Sequence, residues 1–268
     1  MRLLVEGLHA GYGGREVVSA VDLVAEPGSV TAIVGPNGCG KSTLLRCVAR
    51  LHTPAAGRVT VDGADVWRRA PRHVARDLAL LPQSPTAPEA ITVAGLVAHG
   101  RHPHQGLFRQ WSREDEAAAR EALAATGVAE LAGRRVDRLS GGQRQRCWLA
   151  MILAQDTPVV LLDEPTSALD LGHQVEVLSL IRKIARKRNR TVVMVVHDLA
   201  AAARYADRLI AMRDGRVAAE GAPADVLTSG LVKRLYGVEA DILSAPGDGS
   251  PVVVARPDVD ATTSSLSN

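Results

Sequence analysis

Gly35-Pro36-Asn37-Gly38-Cys39-Gly40-Lys41-Ser42-Thr43 decides the fold of this chain. It follows Thr31-Ala32-Ile33-Val34, an apolar run that predicts a buried strand, and leads into Leu44-Leu45-Arg46-Cys47-Val48, which predicts the start of a helix. Strand, glycine loop and helix are the context that gives the G-x-x-x-x-G-K-[ST] spacing its meaning. Glycines let the backbone turn tightly and aim successive N–H groups at one anion. The helix start adds unpaired N–H groups and the positive end of a dipole. Lys41 can reach terminal phosphates, and Ser42 can put its hydroxyl on Mg²⁺. The stretch implies a nucleoside triphosphate as ligand.

Outward from the loop, residues 3–8 and 17–24 predict strands, and Glu26-Pro27-Gly28 turns into the strand before the loop. Val59-Thr60-Val61 with Asp62-Gly63 reads as strand and turn, and Leu78-Ala79-Leu80-Leu81 as a buried strand closed by Pro82. Between 84 and about 156 the pattern is helical, with no convincing strand. The alanine-rich, charged stretch 113–126 suits a helix, and Ser140 can cap another over 142–155. Val159-Val160-Leu161-Leu162 and Val192-Val193-Met194-Val195-Val196 are continuous apolar runs, as in parallel strands covered on both faces, with a helix over 171–187 between them. Residues 208–212 and 216–218 flank Asp214-Gly215 as a hairpin, and 256–268 are polar and expected to be disordered. No internal repeat is present.

The chain has 268 residues, enough for one large domain or two small ones. With 46% hydrophobic but only 3% aromatic residues, its core must be built from Leu, Val, Ile and Ala, which favours an α/β protein over a sandwich. A net charge of +3 does not argue for nucleic acid, and none is expected as a partner. The cysteines, Cys39, Cys47 and Cys147, lack metal-ligand spacing and read as free thiols of a reducing compartment; Cys39, inside the loop, is open to alkylation on this reading. The N-terminus Met1-Arg2-Leu3-Leu4-Val5-Glu6 meets a charge too early for a signal peptide, and no apolar run approaches the roughly 20 residues of a membrane span. The expectation is a cytosolic chain, held at a membrane only by another chain.

Three further segments carry chemistry. The strand 159–162 runs into Asp163-Glu164. Asp163 would hold Mg²⁺ beside the phosphates, and Glu164 would orient or deprotonate an attacking water. His197 follows the next strand, at the carboxyl ends where α/β sheets bind ligands, and suits a γ-phosphate contact. Leu139-Ser140-Gly141-Gly142-Gln143-Arg144-Gln145-Arg146 offers a second anion-binding helix start, which suggests a triphosphate clamped from two sides.

With that motif set in order, the chain resembles the ATPase subunit of an ABC transporter over about residues 3–255. The resemblance implies a P-loop NTPase (RecA-like) α/β core with an N-terminal antiparallel β subdomain and a helical insertion at about 84–156, in one ATP-binding domain over 1–255. It implies adenine stacking for Tyr12, ATP contacts for Gly35, Pro36, Asn37, Gly38, Cys39, Gly40, Lys41, Ser42 and Thr43, and Mg²⁺ for Ser42, Gln83 and Asp163. Glu164 matches the general base, His197 the switch histidine and Gln83 the residue that senses Mg²⁺ and the transmembrane partner. Ser140, Gly141 and Gly142 match the motif that closes over ATP held by the opposite subunit. Ser167-Ala168-Leu169-Asp170 matches the loop linking the two sites. Catalysis would thus rest on Lys41, Gln83, Glu164 and His197, in a head-to-tail dimer of two copies sandwiching ATP.

The segments Ala98-His99-Gly100-Arg101-His102-Pro103-His104-Gln105-Gly106-Leu107-Phe108, Trp111-Ser112-Arg113-Glu114-Asp115, Arg146-Cys147-Trp148-Leu149-Ala150-Met151, Leu169-Asp170-Leu171-Gly172-His173-Gln174, His197-Asp198-Leu199 and Arg204-Tyr205-Ala206-Asp207 resemble those of iron–siderophore importers. Vitamin B12 and haem importers share the plan and are the alternative, ahead of an exporter or a soluble ABC protein. The implied partners are two permease subunits and, through them, an extracytoplasmic binding protein, with the chain peripheral on the cytoplasmic face of the membrane. His99, His102 and His104 do not read as a metal site, because the spacing is not a helix-face pair and Pro103 breaks the geometry. The basic run 182–190 reads as a solvated helix end that complements the dipole.

Overall fold

The computed structural model describes residues 1–106, 111–167 and 169–256. Leu107 and Phe108, Ala168, and residues 257–268 of the tail expected to be disordered over 256–268 lie outside the described residues, whereas Arg256, the first residue of that tail, is described and pairs with Asp241. The chain opens with β1 (Leu3–Tyr12) and β2 (Arg15–Ala25), then passes through β3 (Val30–Val34) into α1 (Lys41–Val48). It returns as β4 (Ala56–Val61) and β5 (Ala64–Asp65), and α2 (Pro71–Asp77) delivers it to β6 (Leu78–Leu81). Helices α3 (Val93–His99), α4 (Arg113–Ala125) and α5 (Gly141–Ala154) precede β7 (Val159–Asp163). Then come α6 (Leu171–Lys187), β8 (Thr191–Val195), α7 (Leu199–Tyr205), β9 (Arg208–Arg213) and β10 (Arg216–Gly221). The described chain ends with α8 (Pro223–Val226), α9 (Ser229–Tyr236), β11 (Ala240–Ser244) and β12 (Pro251–Ala255).

A four-stranded antiparallel sheet, β2-β1-β4-β5, lies against a six-stranded sheet ordered β10-β9-β3-β8-β7-β6. Strands β9, β3, β8, β7 and β6 of the larger sheet are parallel, and β10 pairs antiparallel on its edge. The continuous apolar runs follow from burial on both faces. Ile33, Leu161, Val193, Val195, Ile210 and Met212 pack towards α1 and the antiparallel sheet. Their neighbours Ala32, Val34, Leu162, Met194, Leu209 and Ala211 pack towards the helices of the other face, including Trp148 and Ile152 of α5 and Leu178 and Ile181 of α6. The period of two along each strand thus divides the interior into two cores.

The P-loop α/β architecture with an antiparallel β subdomain agrees with the sequence reading. Between β6 and β7 the described residues are helices and turns, with a single isolated bridge, Thr92 to Arg135. That stretch is braced from inside. Arg101, just past α3, donates through Nε to Asp115 Oδ1 at 2.9 Å and through Nη1 to the Ala154 carbonyl at 2.7 Å. One buried guanidinium therefore ties together the ends of α3, α4 and α5. Several features depart from the sequence reading, among them α8 and α9, which it did not anticipate. β1 runs on to Tyr12, through register shifts that a plain alternation does not announce. β11 and β12 form a small antiparallel hairpin against which α7 packs. No described helix is long and apolar enough to cross a membrane.

Candidate nucleotide site

Strands β3, β8, β7 and β6 lie side by side and parallel, so the residues just past their carboxyl ends share one edge. Past β3 comes the glycine loop. Gly35, Gly38 and Gly40 have φ of 149°, 77° and 104°, the region that favours glycine. A Cβ at Gly35 would sit 2.1 Å from the Met212 carbonyl oxygen, and one at Gly40 2.7 Å from that of Val17. The loop is therefore clamped between the ends of β9 and β2. No side chain caps α1 at Gly40, so the first N–H groups of this helix have no intrahelical partner and no side-chain cap. Lys41 is 5% exposed, and its Nζ donates to the carbonyls of Gly35 at 2.8 Å and Pro36 at 2.9 Å. Cys39 is buried, and burial pushes its thiol up from the ordinary value. The expected susceptibility to alkylation is therefore not supported, because thiolate formation and access are both suppressed.

Past β7 come the two carboxylates. Asp163 accepts from Ser42 Oγ at 3.1 Å. Burial pushes its carboxyl up, the Ser42 hydrogen bond works against that, and the neighbouring Glu164 charge adds to the rise. Glu164 has φ of 52° and donates its N–H to Val195 O at 3.1 Å. For a non-glycine residue this is strained backbone, held by surrounding structure and frequent at functional positions. Its carboxylate bridges two other strand ends. Gln83 Nε2 donates to Oε2 at 2.7 Å, and His197 Nε2 lies 2.5 Å from Oε1.

A cavity of about 380 Å³ is lined by Val17, Asn37, Gly38, Gly40, Lys41, Ser42, Thr43, Gln83, Glu164 and His197. Segments far apart in sequence thus meet in one polar hollow, with Asp163 behind Ser42. Tyr12 does not line it. Its half-exposed ring ends β1 and leans on His52, with centroids 4.3 Å apart. Ser140, Gly141, Gly142 and Asp170 are also outside this lining.

Those residues form a second cluster. Ser140 and Gln143 make a reciprocal capping box at the start of α5. A Cβ at Gly142 would lie 2.7 Å from the ring of His173. That ring is held by Asp170, whose carboxylate also caps α6 by accepting from His173 N at 2.9 Å. The backbone and side-chain hydrogen bonds from His173 hold the Asp170 carboxyl below its usual range. Gln145 Nε2 donates to Pro165 O at 2.7 Å, joining this cluster to the turn after Glu164. Sequence reasoning gave His173 and Gln145 no role of their own, because Gly142 beside His173 and Pro165 beside Gln145 are distant in sequence and only the fold brings them close.

His99 Nδ1 lies 3.1 Å from His102 Nε2, while His104 Nε2 meets the Gln155 carbonyl at 2.8 Å, so the three rings do not converge on one point. The basic run 182–190 is less solvated than expected. Arg186 pairs with Asp207 at 2.5 Å, Arg188 with Glu121 and Asp156, and Arg190 is 3% exposed.

The comparisons with known proteins agree with this geometry. The family model described as ABC transporter matches residues 18–167. The ferric enterobactin transport ATP-binding protein FepC of Escherichia coli K12 is 49% identical over 94% of this chain and 93% of its own length. YusV of Bacillus subtilis 168, named as a probable siderophore transport system ATP-binding protein, is 47% identical over 93% of this chain and 90% of its own. Among solved structures, one titled as a metal-chelate type ABC transporter in an inward-facing conformation superposes with a TM-score of 0.83 at 29% identity, over 96% of this chain and 98% of that one. Phosphate loop, strand-end carboxylates and capped glycine motif thus occur together in a chain that belongs to the ABC transporter family of ATP-binding subunits.

Proposed function

We propose that this chain binds and hydrolyses ATP to drive uptake of an iron–siderophore complex through a membrane permease. The observation that supports the mechanism best is the meeting of the glycine loop, Gln83, Glu164 and His197 around one cavity. The backbone N–H groups at the start of α1 and Lys41 would bind the phosphates, with Lys41 leaving the two carbonyls that now hold it. Glu164 would take the proton from the attacking water, positioned by Gln83 and His197 on its two oxygens. His197 would then be free to donate to the γ-phosphate as charge builds there. The oxygen donors of Ser42 and Asp163, with Gln83 nearby, suit a hard divalent cation, and the raised carboxyl of Asp163 marks a buried charge that such a cation would compensate. Mg²⁺ bound there would supply charge neutralisation on the β- and γ-phosphates.

Ser140, Gly141 and Gly142 would complete the ATP site of a second copy, because they lie outside the cavity of their own chain. Asp170, held by His173, would connect the two sites, and Tyr12 would stack on the adenine. The cargo rests on the names of FepC and YusV, both siderophore transport subunits. On this reading two permease subunits hold the dimer at the cytoplasmic face of the membrane, and an extracytoplasmic protein delivers the cargo. The test is uptake of radiolabelled ferric siderophore in a strain lacking this chain and any redundant ATPase. Uptake is expected to fall to background and to return with the wild-type chain but not with Glu164→Gln. Undiminished uptake in the deletion strain would overturn the cargo assignment.

A further inference from the structure

A second cavity, about 180 Å³, lies between α4 and α6, away from the nucleotide site. Its walls are two helix faces read at i, i+3, i+4 and i+7: residues 118, 121, 122 and 125 of α4, and 180, 183, 184 and 187 of α6. On α4 three of the four are alanines, too short to reach across, and the cleft stays open. Leu153 of α5, with Leu180 and Ile184, completes an apolar floor. A cavity of roughly 150 Å³ lined by aliphatic groups accepts a benzene-sized body.

The rim has a different character. Lys183, Lys187, Arg188 and Arg190 line it against two carboxylates, Glu121 and Asp156. Arg188 pairs with both carboxylates, and Arg190 Nη2 shares Asp156 at 2.6 Å. Lys183 and Lys187 make no ion pair among the described residues. Arg190 lies beneath this rim: it is 3% exposed, and its Nη1 is buried without a hydrogen-bond partner among the described residues, so it adds positive charge from below and not an accessible donor. We propose that the α4–α6 cleft binds a small organic anion, its apolar body on the alanine and leucine floor and its acidic head between Lys183 and Lys187, above the buried charge of Arg190.

The test uses the full-length protein and 4-fluorobenzoate, followed by ¹⁹F NMR, with 4-fluorobenzyl alcohol as the uncharged isostere. The expected result is saturable binding of one benzoate per chain, undisturbed by saturating ATP, with the alcohol at least about tenfold weaker, because charge-assisted hydrogen bonds to the head are lost. The exposed double substitution Lys183→Glu/Lys187→Glu is expected to weaken the benzoate at least about tenfold, since it reverses the free charge at the rim. Ala122→Leu, which fills the floor, is expected to abolish binding with both lysines in place. No saturable binding, equal affinity for the alcohol, displacement by ATP, or unchanged binding in the double variant would each overturn the proposal.

Discussion

Asp163 is where burial and the proposed function oppose each other most directly. Its carboxyl is buried and pushed up, so folding with this group ionised is unfavourable relative to the unfolded chain. Asp163→Asn is therefore expected to raise the melting temperature of the nucleotide-free protein in calorimetry, while lowering ATP hydrolysis by about a hundredfold or more. A lower melting temperature would count against the burial argument. Glu164→Gln should keep ATP binding and cut hydrolysis by about 10²–10⁴, the usual range for loss of a general base, in a phosphate-release assay. The loop glycines were readable from spacing because their φ values and close contacts are what that spacing encodes. The strained backbone of Glu164 was not readable. It depends on a hydrogen bond to Val195, on a different strand.

Elements in this molecule are held by a few buried polar links. Arg101 and Asp115 are 6% and 2% exposed, and their pair joins three helix ends. Arg101→Met leaves Asp115 as a buried, uncompensated carboxylate and should cost about 3–5 kcal/mol in chemical denaturation. Burial pushes the Asp115 carboxyl up, but hydrogen bonds from Arg101 and Ser112 outweigh it and leave it below the usual value. Its folded pKa is therefore below its unfolded one. The stabilisation it gives is complete above the ordinary aspartate range, near about 4, and is lost as pH falls through the lower folded value. This acid-side loss should shrink in Arg101→Met. At the start of α5, Gly142→Ala would press on His173, and a double-mutant cycle with His173→Ala should show His173→Ala relieving about 1–3 kcal/mol of strain. Helix α4 was legible from composition and the cap of α5 from Ser140, while the reciprocal bond from Gln143 that completes the capping box came only with the structure. The burial of Arg190 was not, because a run of basic residues reads as solvent-facing until Asp156 and α4 are seen beside it.

Across the whole molecule the P-loop architecture was legible because its parallel strands are apolar runs that end in chemically distinctive residues. The β11–β12 hairpin was not, since strands as short as Ala240–Ser244 and Pro251–Ala255 give little alternation to read. The larger consequence is that the phosphate-loop cavity and the Ser140–Gly142 cluster are separate surfaces of one chain. A second copy in head-to-tail orientation would bring one to the other. Sedimentation velocity of Glu164→Gln protein, with and without ATP and Mg²⁺, tests this most directly. The account predicts monomer without nucleotide and a dimer retaining ATP when it is present. A species that stays monomeric while holding one ATP per chain, even with the permease supplied, would contradict it.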